Sequence, residues 1–174
     1  MLRRLDVTAE GTTLAGSAVG AGLSVRISNA YGPGQPVAPG QGVIAHWLAA
    51  AAGGRSLTML GNPATTRDYV YVDDVAHSLV RIHHHEGALP GTLNIGSGVP
   101  TALAELADVV LAVVGDPAIG LEIAPGRAFD TAQTWLDTSL ARHVLGWTAQ
   151  TSLRQGVRQA WRALTAGIHR AERR

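Results

Sequence analysis

The chain of 174 residues contains no cysteine, and its 14 basic residues are all arginine, so it contains no lysine either. Without cysteine there is no disulfide framework and no thiolate metal site, and nothing calls for an oxidising compartment. Without lysine there is no ammonium to relay a proton and no amine to form a Schiff base. Charge of neither sign dominates: the formal net charge is +1, which excludes a general pull toward nucleic acid or an acidic membrane surface. No apolar run reaches the roughly 18 residues that a bilayer span requires. Arg3 and Arg4 precede a moderately apolar stretch, Leu14 to Val25, but Asp6 and Glu10 sit badly in the basic region of a leader. A cytoplasmic protein is expected.

What is present is a globular composition, 46% hydrophobic, in a chain long enough for one domain with its own core. Apolar periodicity and punctuation by glycine and proline predict an alternation of helices and strands. Thr8 to Ala21 reads as a helix of small residues ended by Gly22, and "LSVRIS" (23–28) as a strand. "YGPGQPVAPGQG" is loop. Val43 to Ala52 is a helix closed by Gly53-Gly54. Leu57–Leu60 and "DYVYV" (68–72) are strands, the second followed by a helix to about His85 that Asp73 and Asp74 are placed to cap. "LNIG" is a strand between turns, and Thr101 is the cap of a helix to Val114. A short strand at 121–124, a short helix at 138–145 stopped by Gly146, and a last helix from Thr151 to about Ile168 complete the α/β pattern.

"GSAVGAG" (16–22) has glycines at the spacing of a phosphate-cradling loop. Such a loop works because a strand leads into it and a helix starts from it, aiming N–H groups at the pyrophosphate. Here the context is reversed: a helix-like stretch precedes and a strand follows. Close packing and a helix stop are the better reading, and the sequence carries no recognisable dinucleotide fingerprint of its own.

From Val25 onward "RISNAYGPGQ", "RDYVYVDDVA", "LNIGSG", "PGRAFD" and "LGW" occur in that order. In order and spacing they resemble the C-terminal half of the extended short-chain dehydrogenase/reductases, the NAD-dependent nucleotide-sugar epimerase and dehydratase family typified by UDP-glucose 4-epimerase. The resemblance implies the last strands of a Rossmann-type parallel sheet together with a small α/β substrate-binding region. Residues 1–30 are then a residual helix and strand of the Rossmann domain, and 31–174 bind mainly the nucleotide sugar, with 92–96 returning to the Rossmann sheet. In that family the glycine loop and a catalytic Tyr-x-x-x-Lys lie before the "RISNAYG" position. Alignment puts Leu2 and Asp6 where the tyrosine and lysine belong, and the absence of lysine removes the pair whatever the alignment. No catalytic residue is therefore assigned.

The resemblance further implies that Arg67 and Arg127 clamp a diphosphate, since guanidinium offers charge and a fork of donors. Asn29 would donate an amide hydrogen bond to it. Asp130, three residues beyond Arg127, would accept from a ribose hydroxyl, and Val43 with Thr58 to Leu60 would flank the base. Ile27 and Ser28 fall where the family's chain passes the nicotinamide, so NAD belongs to the complete enzyme and is not expected to bind this chain alone. Each residue also has a local explanation: Arg67 as a surface charge beside Asp68, Arg127 and Asp130 as a surface ion pair, Asn29 as a turn residue. His83-His84-His85 splay about 100° apart on a helix and do not converge on a metal. His46 and His77 default to surface or core edge, and Trp135, Trp147 and Trp161 to packing.

The expected function is the nucleotide-sugar-binding portion of an NAD-dependent epimerase or dehydratase, catalytically incomplete in these residues. The expected partners are a UDP- or dTDP-sugar and a separate Rossmann half or a second copy. A non-catalytic binding or assembly module and a truncated gene product are the alternatives.

Overall fold

The computed structural model of the chain describes residues 4–8, 11–15, 22–38, 42–126 and 132–171. It is α/β throughout. Three small sheets carry the strands. In the first, β1 (Arg4–Thr8), β2 (Gly11–Ala15), β3 (Leu23–Ile27) and β7 (Thr92–Ile95) lie side by side. β3 and β7 run parallel with Val25 opposite Leu93 and Ile27 opposite Ile95. In the second, β6 (Thr66–Tyr71) is central. It pairs in parallel with β4 (Asn29–Tyr31) and with β10 (Gln133–Thr134), and antiparallel with β8 (Pro100–Ala102). The third is the parallel pair β5 (Leu57–Leu60) and β9 (Leu121–Ala124). The helices are α1 (Val43–Ala52), α2 (Val72–His84), α3 (Leu103–Val114), α4 (Ser139–Leu145) and α5 (Leu153–Ala171).

Several local expectations are corrected. The helix read over 8–21 is not formed where the structure describes it. Gly11–Ala15 is a strand, paired antiparallel to β1 on one side and β3 on the other. β-Branched Thr12 and Thr13 suit a ladder, and pairing on both edges outweighs the weak helical preference of small residues. Residues 16–21, most of the glycine motif, lie outside the described residues. Thr101 does not cap α3: it sits in β8, and no side chain caps the helix. The first N–H groups of α3 are met by backbone instead, Leu103 donating to the Thr65 carbonyl and Ala104 to that of Pro63. Asp73 and Asp74 occupy the first turn of α2 without a capping bond. The carboxylate of Asp74, which is buried, accepts from the Thr151 backbone N–H at 2.9 Å. Trp135 fills no gap, being 49% exposed, whereas Trp147 is buried with its indole N–H donated to the Asp74 carbonyl.

The core has two parts. One gathers α1, α3 and α5 on β5 and one face of β6, with Trp47, Leu57, Met59, Leu106 and Val110 buried. The other packs α2 and α4 on the β3–β7 pair, with Val25, Ile82, Leu93, Ile95 and Leu145 buried. β6 divides them. Side chains on a strand alternate between faces, so Tyr69 and Tyr71 enter the first part and Val70 the second. Among the described residues no helix is long and apolar enough to cross a membrane.

Candidate functional site

A cavity of about 450 Å³ opens between α1, β5 and the β4–β6 pair. Its position follows from local sequence. The glycine- and proline-rich loop after β4 ends at Gly42, which has φ 71° and starts α1. α1 then presents Val43, His46, Trp47 and Ala50 to the cavity. β5 alternates, burying Leu57 and Met59 and turning Thr58 and Leu60 toward the cavity. β6 alternates as well, and Arg67 and Tyr69 line it together with Asn29, which pairs with Tyr69 across β4.

Five residues singled out from the sequence, Asn29, Val43, Thr58, Leu60 and Arg67, thus line one cavity although 38 positions separate the first from the last. Arg127 and Asp130 lie outside the described residues. Ile27 and Ser28 are at the carboxyl end of β3 and do not line this cavity. Sequence reasoning missed His46, Trp47, Ala50, Arg55, Tyr69 and Leu103. His46 was visible as the residue three after Val43, on the same helical face. Tyr69 was visible as the next same-face neighbour of Arg67 on a strand.

The polar groups are of two kinds. Some are engaged. The Trp47 indole N–H donates to the Thr58 carbonyl at 2.8 Å, and the His46 ring Nε2 meets the Ala38 carbonyl at 2.7 Å. The Asn29 amide donates to the Asp68 carbonyl at 3.0 Å, which leaves its second N–H and its Oδ1. Arg67 donates from Nη1 to the Thr66 carbonyl at 2.8 Å, which orients the guanidinium. The other kind is represented by Tyr69: its residue is 6% exposed, and its hydroxyl oxygen is buried without a hydrogen-bond partner. Burial pushes this phenol up to about 12, with the Arg67 charge opposing. At neutral pH it is an O–H donor with no acceptor among the described residues, an arrangement that costs free energy.

Asp68, between Arg67 and Tyr69, points the other way. It is 1% exposed, and its carboxylate accepts from the Ser97 N–H (2.8 Å), the Ser97 hydroxyl (2.6 Å), the Gly98 N–H (3.2 Å) and the Leu136 N–H (3.3 Å). A side chain on Gly96 would run into its Oδ2, so that position has to be glycine. Asp68 thereby ties β6 to the turn after β7 and to the segment before α4.

No carboxylate is among the described lining of the cavity, and no cluster of three metal-ligating side chains exists among the described residues. The cavity combines apolar side chains, Val43, Ala50, Leu60 and Leu103, with cationic and donor groups from Arg55, Arg67 and Asn29, a mixture that suits a flat group joined to an anion.

Residues 13–96 match the family model described as the NAD dependent epimerase/dehydratase family. A UDP-glucose 4-epimerase of Mycolicibacterium smegmatis is 38% identical over 130 residues, which cover 75% of this chain and 41% of that protein. UDP-glucuronic acid decarboxylase 3 of Arabidopsis thaliana is 32% identical over 139 residues, covering 78% of this chain and 40% of that protein. Among solved structures, the Thermotoga maritima UDP-glucose 4-epimerase with UDP-glucose superposes with a TM-score of 0.76 at 27% identity, over 84% of this chain and 46% of that one. The UDP-glucose 4-epimerase of Thermus thermophilus, in complex with NAD, gives 0.71 at 27% identity, over 81% and 45%. The chain thus spans about two fifths of the length of the curated relatives it matches. With its parallel strand pairs, its α/β order and these matches, the chain is similar to part of the proteins of the NAD dependent epimerase/dehydratase family.

Proposed function

We propose that this chain is the nucleotide-sugar side of an NAD-dependent epimerase, decarboxylase or dehydratase. The cavity between α1, β5 and β6 takes the nucleoside diphosphate of a UDP- or dTDP-sugar. The observation that carries this is the meeting of Arg67, Asn29 and the Tyr69 hydroxyl, unpartnered among the described residues, on one wall of a cavity that Val43, Ala50, Leu60 and Leu103 also line. Arg67 and Tyr69 donate to diphosphate oxygens, and Asn29 adds its remaining N–H. Val43 and Leu60 hold the base by dispersion and exclude water from it. Arg127 and Asp130, on the sequence resemblance, complete the clamp and engage the ribose.

NAD, when bound, supplies reversible acceptance of hydride from the sugar. What this chain offers toward it is limited. Ser28, at the carboxyl end of the parallel β3–β7 pair, has a buried hydroxyl oxygen with no partner, and ligands of open parallel sheets sit at that end. Ile27 and Ser28 would form one wall beside the nicotinamide. With no lysine present, these 174 residues do not supply the Tyr-x-x-x-Lys pair that the resemblance implies for proton transfer.

Calorimetry with UDP and UDP-glucose tests the reading. The chain is expected to bind both, and Arg67→Ala to weaken each by about 10- to 100-fold, the range for a hydrogen bond to a charged group. Arg127→Ala is expected to behave alike. Absence of UDP binding, or equal affinity in Arg67→Ala, overturns it. With UDP-glucose and NAD added, the chain alone is expected to give no turnover, and steady product formation would overturn the reading that proton transfer needs that pair.

A further inference from the structure

A second cavity, of about 300 Å³, lies along α2, with His77, Val80 and Arg81 of the helix and Gly146, Thr148 and Gln150 of the segment after α4 in its lining. Asp74 and Trp147 are the buried members of that lining. The segment runs back along the helix and is tied to it at both ends. Arg81 donates from Nη1 to the Leu145 carbonyl at 3.0 Å, and the Thr151 N–H donates to Asp74 Oδ2 at 2.9 Å. Between these ties the Trp147 indole N–H donates to the Asp74 carbonyl at 3.2 Å. The nucleotide reading uses none of these residues.

Two buried carboxylates of the chain contrast sharply. Asp68 takes four donors, whereas Asp74, 4% exposed, takes one. Asp74 Oδ1 takes none among the described residues, in a side chain that borders a cavity. A buried carboxylate with one hydrogen bond carries a desolvation cost that a further donor offsets. At the other end Arg81 gives one N–H to Leu145, out of the five that a guanidinium carries. Asp74 and Arg81 are seven positions apart on α2, about 10 Å along the helix axis.

An anion alone would meet the Asp74 carboxylate here, and a cation alone the Arg81 guanidinium. The cavity suits a ligand that carries both charges, one at each end. The middle is polar as well. His77 lies one turn from each of the two and offers its ring nitrogens. Gln150 donates its amide nitrogen to the Thr148 carbonyl and hydroxyl, which leaves its Oε1 as an acceptor. Donors and acceptors side by side match peptide groups, each of which has one N–H and one C=O. Three extended residues span about 10 Å, the same length as the helix between Asp74 and Arg81. We propose that this cavity is a binding site for a short extended peptide with free termini, about three residues long, whose ammonium sits on Asp74 Oδ1 and whose carboxylate sits on the Arg81 guanidinium.

Calorimetry compares triglycine with N-acetyltriglycine, which lacks the ammonium, and with triglycine amide, which lacks the carboxylate. The wild-type chain is expected to bind triglycine about 10-fold more tightly than either, the effect of one hydrogen bond between charged groups. Arg81→Gln is expected to weaken triglycine by about 10-fold and to leave triglycine amide unchanged. Asp74→Asn keeps an oxygen for the Thr151 N–H, and is expected to weaken triglycine alike and to leave N-acetyltriglycine unchanged. Arg81 is exposed, so Arg81→Gln decides the matter even where Asp74→Asn does not fold. Arg67→Ala, in the other cavity, is expected to leave all three affinities as they are. A wild type that does not bind triglycine, or binds the blocked peptides as tightly, overturns the proposal and leaves the nucleotide reading standing. So does an Arg81→Gln chain with wild-type triglycine affinity. Competition between UDP and triglycine would put the peptide in the first cavity and overturn the proposal as well.

Discussion

The two faces of β6 were built for different ends. On one, Asp68 is saturated by donors from Ser97, Gly98 and Leu136, and Val70 is buried against the α2–α4 side of the core. On the other, one residue away in each direction, Arg67 and Tyr69 border a cavity, and the Tyr69 hydroxyl has no partner at all. The first face is closed by packing and by the fully partnered Asp68 carboxylate, although the Thr66 hydroxyl at its edge is also buried without a partner among the described residues. The second borders open space, and there the Tyr69 hydroxyl keeps its hydrogen-bonding capacity beside a cavity and not against packed interior. The rigid face holds the open one in place: the carboxylate that anchors the strand sits between the two side chains that face the cavity.

This contrast can be broken most strongly at Asp68. Asp68→Ala strips an acceptor from three backbone N–H groups and a hydroxyl, and is expected to destabilise the chain by about 4 kcal/mol, read as a lower midpoint in urea. Next is the place where β5 and β9 leave their ladder. A Cβ on Gly126 would come within 2.7 Å of the Gly61 Cα, backbone against backbone. Gly126→Ala is therefore expected to cost about 1–3 kcal/mol, the range for overpacking. Gly120→Ala, at the other end of the same pair with only Ser56 Oγ nearby at 3.6 Å, is expected to cost less than about 0.5 kcal/mol. At Tyr69 the sign reverses. Tyr69→Phe removes an unpartnered hydroxyl, so the unliganded chain is expected to keep its stability or gain up to about 1 kcal/mol, while UDP affinity falls about 5- to 10-fold. Loss of stability with unchanged affinity would mean that the hydroxyl serves the fold and not the ligand.

The smallest effect is in alkali. Tyr69 ionises at about 12 folded against 10.0 for the free phenol, the raised direction. Its contribution to stability is complete below pH 10 and is lost as pH rises toward 12. Tyr69→Phe is expected to flatten the stability curve in that window without abolishing the slope, because burial raises the Tyr31 phenol too. Denaturant midpoints at about pH 9, 11 and 12 check this.

Much of the fold was legible because its signals are local. The period of two in "LTML" and "DYVYV" puts alternate residues on opposite faces, and the same alternation that buries Leu57 and Met59 turns Thr58 and Leu60 to the cavity. The helices at 43–52 and 139–145 end at Gly53 and Gly146, as their glycines indicated. The failures have a common physical cause. None of the caps expected at Thr101, Asp73 and Asp74 forms, and for two of them tertiary partners take over: the Thr65 and Pro63 carbonyls for α3, and the Thr151 N–H for Asp74. The strand at 11–15 depends on pairing with its neighbours, which no window of sequence contains. Trp135 is exposed because hydrophobicity alone does not decide which side of a segment meets the core.

By itself, then, the sequence determined the α/β alternation, the family resemblance and the absence of any lysine for proton transfer, since these depend only on residue identity and order. Tertiary structure alone decided that Arg67 and Tyr69 face a cavity while Asp68 faces away, that Arg55 enters the same cavity from another wall, and that the Tyr69 hydroxyl is left without a partner. Those outcomes depend on which distant backbone groups come within hydrogen-bonding distance, and that is set by how the strands and helices pack.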